Sequence, residues 1–155
     1  KKNKINKKNI SIMDIIGTQY IKKGQYGDFD WMIKQKEYSD SLFIFNDDEE
    51  RHKSCAQGKG NAIIRKYNIY SNFKKPRSAG IPTGTVKRGG YNKLTSHIKF
   101  EIDQALKEIK EIIEKYKYKK VFYSADKEGK LGTSIFRVGN DVIEYITLEI
   151  QNLKN

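Results

Sequence analysis

Leu42-Phe43-Ile44-Phe45-Asn46-Asp47 is followed by the turn Gly58-Lys59-Gly60-Asn61-Ala62 and an apolar run containing Arg65, and this stretch decides the fold. Four consecutive apolar residues bounded by polar ones read as a fully buried strand. A Gly-x-Gly turn that opens a helix after such a strand presents backbone N–H groups to an anion. Glycine lets that backbone approach a ligand with no Cβ in the way. The arrangement occurs a second time. Lys120-Val121-Phe122-Tyr123-Ser124-Ala125 reads as a strand and runs into Glu128-Gly129-Lys130-Leu131-Gly132-Thr133-Ser134. Two glycine loops at strand C-terminal ends are what a nucleotide cleft in an open α/β sheet requires.

Outward from these two units, the remaining segments fall into place around a sheet. Ser11 to Ile16 reads as a first strand, and Gly17 to Lys23 as its extension. Gly24 to Trp31 reads as a loop anchored by Tyr26, Phe29 and Trp31, which either fill a small satellite core or stack on a base. Asp47-Asp48-Glu49-Glu50 is expected to cap or start a short helix, because carboxylates favour a helix N-terminus. Ala62 to Tyr67 is expected to be helical, Ala79 to Thr83 a short strand, and Gly89-Gly90 a turn. The clearest element is a helix from about Thr95 to Tyr116. Ile98, Ile102, Ala105, Leu106, Ile109, Ile112 and Ile113 recur at three- and four-residue spacing along it, forming one apolar stripe. Lys99, Glu101, Lys107, Lys110, Glu111 and Glu114 read as its solvated face. Asp141-x-x-Glu144 looks like a capping box opening a last helix, with Val142, Ile146, Ile150 and Leu153 on one side, while the β-branched content of Val142 to Ile150 leaves a strand as the alternative. The order β-α-β-α-β-α predicts an α/β fold, a mixed central sheet with helices on both faces.

Composition bounds the rest. The 155 residues suit one core, with residues 1–10 as a disordered basic tail and 11–155 as a single domain. The apolar share is 37% and the mean hydropathy −0.78, and no apolar run approaches a membrane span. No signal-peptide pattern is evident, so a cytoplasmic protein is expected. Cys55 is the only cysteine, which excludes an internal disulfide and fits a reducing compartment. Two histidines and one cysteine cannot supply an ordinary structural zinc site, so neither a metal nor a cofactor is expected unless carboxylates and phosphates coordinate magnesium. The net charge of +12 points to polyanionic partners, although five of the lysines lie in the first ten residues and leave +7 for the rest. The abundance of Lys, Asn, Ile and Tyr suits an AT-rich genome, viral, phage or bacterial.

The pieces Phe45-Asn46-Asp47, Gly58-Lys59-Gly60-Asn61-Ala62, Ile81-Pro82-Thr83-Gly84, Tyr91-Asn92-Lys93-Leu94, the long helix and Gly129-Lys130-Leu131-Gly132 follow one another in an order that resembles a macrodomain, the ADP-ribose-binding fold. The likeness spans about residues 40–155. It is nearest to the branch that removes ADP-ribose from DNA or acidic side chains. The resemblance implies a three-layer α/β/α architecture with ADP-ribose or a similar nucleotide as ligand. It implies that Gly58, Lys59, Gly60, Asn61 and Ala62 face the distal ribose and diphosphate. Gly129, Leu131, Gly132, Thr133 and Ser134 would form the opposing loop, and Asn46 or Asp47 would hold a ribose hydroxyl or the adenine amine. Thr83 would end the strand before the basic turn. In that branch a lysine after this strand attacks the sugar, assisted by an aspartate in the second loop. Lys87 matches the lysine by position, but the second loop carries no acidic residue where the aspartate belongs. A reader, a sequestering protein or a weak ADP-ribosyl hydrolase is therefore expected, with ADP-ribosylated protein or nucleic acid as partner and no membrane.

Two other classes compete. A basic nucleic-acid-binding or virion-associated protein would use the tail, Lys74-Lys75-Pro76-Arg77 and Lys87-Arg88, with tyrosines stacking on bases. A nucleotide phosphohydrolase is the third, although no full Gly-x-x-x-x-Gly-Lys-Ser/Thr loop is present.

Overall fold

The computed structural model describes residues 13–72, 75–133 and 136–154. The basic tail, Lys74 and Ser134 lie outside these residues. Five strands, β1 (Asp14–Thr18), β2 (Ser41–Asp48), β3 (Ser78–Thr85), β4 (Gly89–Gly90) and β5 (Lys120–Ser124), form one sheet in the order β1-β5-β2-β3-β4. β1, β5, β2 and β3 run parallel, and β4 pairs antiparallel with the end of β3. The protein is thus an α/β fold on a mixed five-stranded sheet. Because four neighbouring strands share one direction, their C-terminal ends lie along a single rim. The last strand in sequence, β5, inserts between β1 and β2.

Both faces of the sheet are covered, which is why β2 is apolar without alternation. Leu42 and Ile44 join the larger core with Ala79, Ile81, Val121 and Tyr123. Helices α2 (Ser96–Tyr116) and α3 (Asn140–Gln151) cover that side, through Ile102, Ala105, Ile109 and Ile112 and through Val142, Ile146 and Ile150. Phe43, Phe45 and Phe122 point the other way, into a second core closed by the short helix α1 (Phe29–Met32) and the 3-10 helix Gly60–Tyr67. Phe29 is fully buried there, so that part of the aromatic loop is core.

Three local expectations are corrected. Asp47 and Asp48 do not open a helix; they continue β2, and both are buried. The pairing slips by one residue between them, beside Pro82 of β3. Proline lacks a ladder donor and fits such a bulge. Asp141 does not make a capping box, since the N-cap of α3 is Gly139, which offers no side-chain cap. Its carboxylate accepts instead from the N–H groups of Leu94 and Val142, both at 2.9 Å. Gly89-Gly90 forms β4 rather than only a turn. Among the described residues no helix is long and apolar enough to cross a membrane.

Candidate ligand site at the strand rim

The loops after β1, β5 and β2 stand side by side on the rim. After β1, Asp28 caps α1 by accepting from Asp30 N–H, and its other oxygen accepts from Gly24 N–H at 2.8 Å. This holds the turn that carries Tyr26. The Tyr26 ring lies edge-on to Phe122 at 6.3 Å and is 48% exposed. After β2, the Gly58–Ala62 turn opens the 3-10 helix. Gly60 takes a φ of +58°, a conformation that favours glycine. The N-cap of this helix, Lys59, makes no side-chain capping bond, and its carbonyl accepts from the Ala62 N–H at 3.0 Å. Asn61 ties the two loops together, accepting from the Phe29 N–H at 3.1 Å.

The glycine loop after β5 closes mainly on itself. Asp126 Oδ1 accepts from the N–H groups of Glu128 and Lys130. The Gly129 amide donates to Asp126 O and the Gly132 amide to Ser124 O. The Leu131 amide is taken by Thr147 of α3 at 2.9 Å. The turn is a rigid wall whose amides from Glu128 to Gly132 already have partners. Asn46, at the end of β2, donates its side-chain amide to Gly132 O at 2.5 Å and so fixes that wall to the cleft floor. A Cβ on Gly132 would stand 2.9 Å from the Ala125 carbonyl, so the glycine serves close backbone packing. Ser134 lies outside the described residues.

On the second-core side, Asp47 is the hub of a buried polar cluster. Arg65 grips its Oδ1 through Nε at 2.9 Å and through its terminal nitrogen, with the two side chains only 1% and 3% exposed. The Asp48 amide donates to the same oxygen, and His52 Nδ1 stands 3.3 Å from Oδ2. Arg65 also donates to Ala56 O, pinning the chain that leads into Gly58. Asp47 is therefore engaged in positioning the first glycine loop. Its carboxylate rests on Gly80, where a Cβ would come within 2.3 Å of Oδ2.

On the larger-core side, a cleft of about 520 Å³ opens beyond β3, with Glu49, Thr85, Arg88, Tyr91, Lys93 and His97 among its lining residues. Tyr91 donates its hydroxyl to Glu49 Oε1 at 2.6 Å. Burial, then the Glu49 hydrogen bond, push this phenol far above its usual range. Lys87 stands exposed on the turn between β3 and β4, and Arg88 is the turn residue that reaches the cleft. Thr83 is fully buried in β3, and its hydroxyl has no hydrogen-bond partner.

The structure thus joins Asn46 to Gly132, and Gly58 to Ala62 and Arg65, but leaves Lys87 apart from them. Three groups were not singled out by spacing. His52 gains its role only through Asp47, and Glu49 meets His97 and Tyr91 only after β2 and α2 have packed. The one local sign was the four-residue interval from His97 to Glu101, which the even charge of that helix face conceals. No family model, curated protein or solved structure matches the chain.

Proposed function

We propose that the protein binds a phosphorylated nucleotide of the ADP-ribose class across the C-terminal rim of β1, β5 and β2, within a macrodomain-type three-layer fold. It acts as a reader or sequestering protein in this reading, not as an efficient hydrolase. The observation that carries it is the bond between the first two loops: Asn61 accepts from Phe29 N–H and sets the Tyr26 loop beside the Gly58–Ala62 turn. An exposed aromatic ring on one loop and a helix-opening glycine turn on the loop tied to it are complementary to a base followed by phosphates. Phosphate contacts fall to the Gly60 turn and Lys59, because the amides of the second loop are spent internally. That loop contributes shape, held by Asn46. Catalysis by Lys87 is not part of the reading, since this side chain is exposed and the second loop brings no carboxylate to it.

Calorimetry with ADP-ribose, AMP and adenosine tests the reading. ADP-ribose is expected to bind at least tenfold more tightly than adenosine, about 1.4 kcal/mol. Tyr26→Ala is expected to weaken ADP-ribose about tenfold, since base stacking contributes about 1–3 kcal/mol, and to leave the melting temperature nearly unchanged. Equal affinity for adenosine and ADP-ribose would sink the phosphate contact. A preference for short single-stranded DNA over every nucleotide would move the protein to the nucleic-acid class.

A further inference from the structure

Glu49, His97 and Glu101 bring two carboxylate oxygens and an imidazole nitrogen within 4.8 Å of one another. Helix geometry accounts for part of this. His97 and Glu101 are four residues apart at the start of α2 and share one face. Glu49 arrives from the end of β2, steadied by the Tyr91 hydroxyl. Its Oε1 lies 3.4 Å from His97 Nε2. Donors about 2.1 Å from a common tetrahedral ion stand roughly 3.4 Å apart, so this pair needs no rearrangement. Glu101 is only half-buried and has rotamer freedom to close the third position.

The charge balance around the cluster points the same way. The chain carries 31 Lys and Arg against 19 Asp and Glu. Yet among the described residues the only ion pair made by Glu49 or Glu101 is the one from Glu49 to His97. Converging like charges repel unless a cation lies between them.

We propose that Glu49, His97 and Glu101 bind a divalent first-row transition-metal ion of the zinc or manganese type. Its remaining coordination positions open toward the cleft, where Arg88 and Lys93 supply positive charge for an anionic ligand. The mixed nitrogen and oxygen donor set selects against magnesium and calcium, which take oxygen donors. The proposal does not depend on the nucleotide reading, because these residues flank β3 and α2, away from the Tyr26 and Gly60 loops.

Titration of the full chain with Zn²⁺, Mn²⁺ and Mg²⁺ alone, followed by calorimetry, tests it. One Zn²⁺ or Mn²⁺ per chain is expected, with Mg²⁺ at least tenfold weaker. His97→Ala and Glu101→Gln are each expected to raise Kd at least tenfold, while circular dichroism shows both variants folded. Glu111→Gln, farther along α2, is expected to bind as the wild type does. Absence of saturable binding by either transition metal, or binding undiminished in both site variants, overturns the proposal. Metal binding without ADP-ribose binding would leave it standing and remove only the nucleotide reading.

Discussion

Asp47 and Arg65 are both almost wholly buried, so their pairing is governed by desolvation more than by attraction between free ions. The carboxylate is surrounded by donors from Arg65, the Asp48 amide and His52, which is what makes its charge tolerable inside the protein. Removing the guanidinium leaves that charge without its main partner. Arg65→Met is expected to destabilise the protein by roughly 3–5 kcal/mol, read from urea unfolding. Asp47→Asn combined with Arg65→Met should cost less than the sum of the two single changes, because neither charge is then stranded. A loss below about 1 kcal/mol for Arg65→Met, the range of an exposed pair, would show that the pair is not the buried anchor of the first glycine loop.

Helix α2 depends on both its apolar stripe and its ends. Thr95 accepts from the Ile98 N–H at 3.2 Å, and Lys117 ends the helix in the left-handed conformation with φ of 56°. The first turn matters beyond stability because it carries His97. Thr95→Ala is expected to lower stability by about 1 kcal/mol, while Thr95→Ser retains most of it; thermal melts compare the two. If alanine and serine melt alike, the hydroxyl is not the cap. At this scale the residues themselves were largely legible. The period of Ile102, Ala105, Ile109 and Ile112 identifies the buried face of α2, and all four are buried. The opening of α3 was not legible. Asp141 has the composition of a cap, but its oxygen is drawn to Leu94, a residue on a different segment. Competition between a local and a distant donor leaves no trace in residue spacing.

Over the whole molecule, the tyrosines lock segments together through hydroxyls that leave water. Tyr118 is 2% exposed and donates to Pro76 O, tying the chain after α2 to the connection before β3. Burial pushes its phenol up to about 12, partly opposed by the positive charge of Arg77. Tyr70, Tyr91 and Tyr123 are also raised, each chiefly by burial. The folded protein therefore keeps protons that the unfolded chain releases above the ordinary phenol value of 10.0. The stability from these groups is fully present below that value and is lost as pH rises toward about 12. Urea unfolding at a series of pH values is expected to show this alkaline decline. Tyr118→Phe should make it shallower without abolishing it, since the other tyrosines remain. An unchanged slope would remove Tyr118 from the set.

Residue patterns by themselves identify the apolar runs of β2, β3 and β5 and the long helix α2, but not β4 or α1. Leu42 to Phe45 and Val121 to Tyr123 have no polar side to turn outward, and so must be strands covered on both faces. The same patterns place a glycine turn after each. Only the tertiary structure decided strand order and the partners of the polar groups, because burial makes a side chain pair with whatever lies nearest in space. Asp47 meets Arg65 and Gly80, Asn46 meets Gly132, and Glu49 meets His97 through contacts between separate elements. The partners of the loop amides follow the same rule. The second glycine loop folds around the Asp126 side chain, while the first is closed by backbone bonds, from Ala62 N–H to Lys59 O and from Gly58 N–H to Ala62 O.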